Sequence, residues 1–140
     1  MLAEIQARCN AIEECYELML AYAAQGVPTE EGSRAGGEIR AFLNRAVGAL
    51  EGLAASCSTL VVQNRLEPAE RYEAFFAVLD RDARDASAAL ELVLAQPKIS
   101  SQLIDNVNAS SHVRALLTDL FLIGEIFRSQ RAQTRPVVTA

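Results

Sequence analysis

Apolar residues recur along this 140-residue chain in alternating steps of three and four, the spacing of helices packed side by side. The first run is Leu2, Ile5, Cys9, Ile12, Tyr16, Met19 and Ala23, and it predicts a helix over about 2–25. Gly26 reads as the glycine just past its end, and Pro28 cannot continue it. A second run, Ile39, Leu43, Ala46, Leu50, Leu53, Cys57 and Leu60, predicts an unbroken helix over about 38–64. Gly48 and Gly52 lie near its stripe, each costing about 1 kcal/mol relative to Ala, and read as small residues that let a neighbouring helix come close.

Pro68 suits the first turn of a third helix over about 68–95, whose seam runs Tyr72, Phe76, Leu79, Ala83, Ala86, Leu90, Val93 and stops before Pro97. Its stretch DRDARDAS pairs Asp80 with Arg84 and Arg81 with Asp85 at helical spacing, the mark of a solvated face. The fourth segment, about 100–131, is strongly helical from Val113 to Phe127. Four rods of about 25 residues, each ~37 Å long, with short connections predict an all-α, antiparallel four-helix bundle. Residues 1–131 then make one domain, and 132–140 (AQTRPVVTA) carry no helical pattern and read as a flexible tail.

The last helix has apolar residues on more than one side. Leu117, Leu120, Gly124 and Phe127 can face the bundle, which leaves Leu116, Phe121, Leu122, Ile123 and Ile126 needing another cover. A second copy of the chain is the expected cover, so a homodimer through the last helix is predicted.

Composition narrows the functional classes. The chain is 51% hydrophobic with a net charge of −5, which argues for a globular protein that does not attract nucleic acid. No apolar run of ~18 residues offers a membrane span, and the opening MLAEIQARCN lacks the zones of a signal peptide, so a cytoplasmic location is expected. Twelve of the thirteen basic residues are arginine, the side chain suited to bidentate pairing with carboxylates. Cys9, Cys15 and Cys57 fit no metal or redox spacing and read as reduced, mostly buried small residues.

Candidate chemistry is sparse. GVPTEEGSRAGG at 26–37 holds four of the seven glycines. It matches no phosphate-binding frame, and Glu30 and Glu31 repel anions. Thr29 reads as the cap of a short turn weakened by the glycines, and the stretch as a low-stability hinge. Glu13 and Glu17 read as a solvated flank. His112, the single histidine, is followed by Val113 and Arg114, unlike the lysine and glycine that follow the histidine of phosphotransfer bundles. One histidine with Ala109 three positions before it cannot build a ferritin-like metal centre, so no metal and no cofactor are expected.

Asn106, Asn108, Ser110, Ser111 and His112 form the most polar stretch of the fourth segment. Ser110 or Ser111 reads as a helix cap at a kink. If the helix instead ran through, Asn106, Asn108, Ser111 and His112, with Tyr16 or Tyr72, would line an interhelical ligand cavity. Arg128, Arg131 and Arg135 gather where they complement the helix dipole. Two functions remain: a non-catalytic protein–protein interaction module (adaptor, regulator or dedicated chaperone) built as a dimeric bundle, or a small-ligand-binding bundle or minor enzyme with a cavity near His112.

Overall fold

The computed structural model describes the backbone of residues 1–134 and the side chains of residues 1–130. Among these residues there are six α-helices and no strand: α1 (Leu2–Gln25), α2 (Arg34–Leu50), α3 (Leu53–Gln63), α4 (Ala69–Leu94), α5 (Ser101–Ala109) and α6 (Ser111–Thr134). No single one of them is long and apolar enough to cross a membrane. The all-helical class follows from the apolar spacing as expected, whereas two of the four expected rods are broken. Helix α6 runs to Thr134, three residues into the expected tail, and residues 135–140 lie outside the described residues.

The break between α2 and α3 bends the chain by 43°. Glu51 is extended (ψ 118°) and Gly52 is left-handed (φ 77°), a conformation that costs other residues about 1–2 kcal/mol. Gly52 is therefore a corner, and the reading of it as a packing residue is corrected. Gly48 is corrected too, because it is exposed and a Cβ there would meet nothing within 4 Å. Arg8 of α1 stabilises the corner by donating to the carbonyls of Ala49 and Glu51, two acceptors that the end of α2 leaves free.

The second break falls between α5 and α6. Ser110 is extended, and its hydroxyl accepts from the Val113 amide at 3.4 Å. This is the expected cap, with the backbone leaving the helix for one residue.

Ile12 and Met19 of α1, Leu43 of α2, Leu79 and Leu90 of α4, and Leu116 and Ile123 of α6 are all 5% exposed or less and belong to one continuous core. Helix α1 packs on α2 and α5, and α4 packs on α2, α3 and α6. Within that core the void between α1, α4 and α6 is about 20 Å³, room for about one water.

Candidate functional site

Residues 26–37 form a locked joint. Gly26 ends α1 in the left-handed region (φ 64°), a single 3-10 turn spans Glu30–Gly32, and Ser33 caps α2 by accepting from the Gly36 amide at 2.9 Å. Thr29 starts the short turn as expected but makes no side-chain cap, and the start of the second helix is corrected from about 38 to Arg34, capped by Ser33. A Cβ on Gly36 would fall inside van der Waals contact with the Glu30 carbonyl oxygen, so this glycine allows the turn to lie on the helix.

Glu30 then holds three donors: Arg40 Nε at 2.6 Å, Arg40 Nη2 at 2.9 Å and the Ile99 amide at 2.8 Å. Arg40 also donates to the carbonyls of Leu94 and Gln96 at the end of α4. Tyr22, fully buried, donates to the Ile99 carbonyl at 2.6 Å, and Ser101 ties Tyr22 to Val27. The expected low-stability hinge is thus stapled to the connection between α4 and α5. Hydrogen bonding to Arg40 holds the Glu30 carboxyl below its usual range against the opposing effect of burial.

The residues expected to share a ligand cavity are dispersed. Asn106, Ser111 and His112 are exposed. Asn108 is buried between α5 and α1, where its amide donates to the Met19 carbonyl at 3.2 Å. Tyr16 lies beside the 20 Å³ void, and Tyr72 accepts from Gln130 near the other end of α6. Ser111 and Gln130 are 19 residues apart on that helix, about 28 Å along its axis, so Tyr72 and His112 cannot serve one small ligand. The structure therefore does not bring Tyr72 together with the other residues of the cavity expected near His112.

The expected intermolecular face also divides. Leu116 and Ile123 are each 2% exposed and belong to the chain's own core, because α4 covers that flank of α6. They are corrected from interface to core. Ile126 is half-buried, while Phe121 and Leu122 remain 58% and 49% exposed.

Phe121 borders a groove between α1 and α6. The helices run antiparallel there, since Leu2 shares a hollow with Phe127 and Gln130 while Ile12 and Tyr16 meet Val113 and Leu117. Its floor is apolar, Glu13 closes one end and Arg128 the other, and Phe121 stands between them. Gly124, one turn beyond Phe121, lines the groove beneath the Arg128 guanidinium, which a Cβ there would meet at 3.7 Å. Past Phe127 the groove opens into a hollow of about 390 Å³ walled by Met1, Leu60 and Leu66. Of the C-terminal arginines, Arg128 pairs with Glu125 at 2.8 Å, and the side chains of Arg131 and Arg135 lie outside the described residues. Glu13, read as part of a solvated flank, is half-buried at the groove, while Glu14 and Glu17 are exposed.

Burial pushes the Cys15 and Cys57 thiols up to about 12 and Cys9 up to about 11, which keeps them protonated and poor nucleophiles. The stretch DRDARDAS is solvated only in part. Arg84 pairs with Asp80 at 2.8 Å, but Asp82 turns toward Asp119 of α6, a buried acid that the apolar pattern of ALLTDLFLI conceals. Compared with models of protein families, with curated proteins and with solved structures, the chain has no significant match.

Proposed function

We propose that this chain is a non-catalytic protein–protein interaction module, an adaptor, regulator or dedicated chaperone, that works as a homodimer. In this reading the six helices act as an antiparallel bundle of four rods, with α2–α3 and α5–α6 as two bent members. The observation that carries it is Phe121, more than half exposed on the rim of a groove with an apolar floor. An aromatic in that position is the kind of side chain that anchors interfaces.

A two-fold axis beside Phe121 would set each Phe121 ring against the partner's groove, an isologous contact. The same rotation reverses the groove and brings Glu13 against the partner's Arg128 at both ends. A second copy therefore answers the charge at both ends of the groove, which is why it is the occupant proposed. A small-ligand reading has no comparable support, since His112 faces solvent and the void beside Tyr16 holds about one water.

Sedimentation and light scattering on the full chain test this. The wild type is expected at twice the chain mass with a melting temperature that rises with concentration, and Phe121→Asp at the chain mass with unchanged helicity. A wild type that stays monomeric at ~100 μM, a hundredfold above a micromolar dissociation constant, sinks the dimer. So does a Phe121→Asp variant that dimerises as well as the wild type.

A further inference from the structure

Asp119 lies mid-way along α6 on the flank covered by α4, 7% exposed, with its Oδ2 unpartnered among the described residues. Among those residues no cation reaches it within ion-pair distance, and Arg84 of the facing stretch is held by Asp80. The charged group that faces it is Asp82 of α4, itself half-buried. Neither α5 nor α6 adds another charge, since α6 presents Ala115 and Ile123 one turn to either side.

Two ionised carboxylates in a buried seam are opposed twice, by desolvation and by their like charge. A single proton removes both objections and the orphaned oxygen together. Asp119, as the neutral acid, donates its O–H to the Asp82 carboxylate, and such charge-assisted bonds are about twice as strong as neutral ones. We propose that Asp82 and Asp119 form a proton-operated latch, which holds α6 against α4 while one proton is shared and loosens the seam when that proton leaves.

Burial, and then the hydrogen bond and charge of Asp82, push the Asp119 carboxyl up to about 7. Between about pH 4 and pH 7 the folded chain keeps a proton that the unfolded chain has lost. Stability therefore falls as pH rises through that window and stays low above it. Asp119 is two residues from Phe121, so loosening α6 would also reshape the groove. The latch acts within one chain and holds whether or not the groove receives a second copy.

The side-chain carboxyl ¹³C shift of Asp119, followed through a pH titration of the full chain, reads the latch directly. A midpoint near 7 is expected, and one near the ordinary 3.8 overturns the proposal. Asp119→Asn keeps a donor toward Asp82 but cannot lose it. The wild-type melting temperature should fall by about 5 °C or more between about pH 5.5 and pH 8.5, while the Asn variant stays level. Parallel profiles for the two proteins overturn the latch. Recovery of the wild-type melting temperature at the higher pH with millimolar Ca²⁺ or Mg²⁺ also overturns it, because the pair would then serve a cation. If the Asn variant fails to fold, the wild-type carboxyl titration decides alone.

Discussion

Arg40 grips both carboxylate oxygens of Glu30, at 2.6 and 2.9 Å, and with its remaining donors holds the carbonyls of Leu94 and Gln96. One planar side chain thus joins the 26–37 turn to the end of α4, and Glu30 extends the join to the Ile99 amide. A lysine in its place offers three donors without the fixed fork.

Arg40→Ala should cost about 2–3 kcal/mol, since it removes several hydrogen bonds worth about 1 kcal/mol each. Arg84→Ala should cost less than ~0.5 kcal/mol, because the Arg84–Asp80 pair is exposed. Urea denaturation of the two variants checks the contrast. Equal losses would mean the Arg40 cluster contributes no more than a surface pair.

The same clamp sets an acid limit. Glu30 has a depressed folded pKa, so its contribution is present above the ordinary carboxylate range and is lost as pH falls through the folded value. Below about pH 4.5, wild-type stability should drop more steeply than that of Glu30→Gln, as followed by circular dichroism. This limb has the opposite sign to the Asp119 window, which leaves the two separable in one titration.

Two glycine-to-alanine substitutions should differ in sign. Gly48→Ala adds a methyl group to open space in a helix interior and should stabilise by about 0.5–1 kcal/mol. Gly36→Ala drives a Cβ into the Glu30 carbonyl and should destabilise by about 1–3 kcal/mol. Melting temperatures moving in opposite directions are the expected result.

Arg65 closes α3 at φ 51°, with the Leu66 amide bonded to the Val61 carbonyl at 3.0 Å and Leu66 buried behind it. This is a Schellman ending with arginine where glycine is usual. Arg65→Gly should therefore stabilise by about 0.5–1 kcal/mol, the left-handed cost less the added freedom of the unfolded chain.

Leu116→Ala should cost about 2–5 kcal/mol as a core deletion. Leu122→Ala, on the exposed side of the same helix, should stay within about 0.5 kcal/mol. Chemical denaturation of both variants at concentrations spanning any association tests whether α4, rather than a second copy, covers Leu116.

The sequence by itself determined the helical class, the start of α4 after Pro68, the end of α1 at Gly26 and most of the core. These depend on local propensity and on apolar spacing, which a single helix face records. The tertiary structure decided the rest. A three–four pattern continues unchanged across Gly52, so the periodicity that located α2 and α3 could not reveal the corner between them. The glycines of 26–37 signalled freedom, yet their mobility is removed by Arg40 and Ile99, whose pairing with Glu30 spans 10 and 69 residues of chain. The pattern did show that α6 has apolar residues to spare. Only packing against α4 separated Leu116 and Ile123 from Phe121 and Leu122, and only that packing brought Asp82 against Asp119. Burial belongs to surfaces that meet, and which surfaces meet is settled by the fold as a whole.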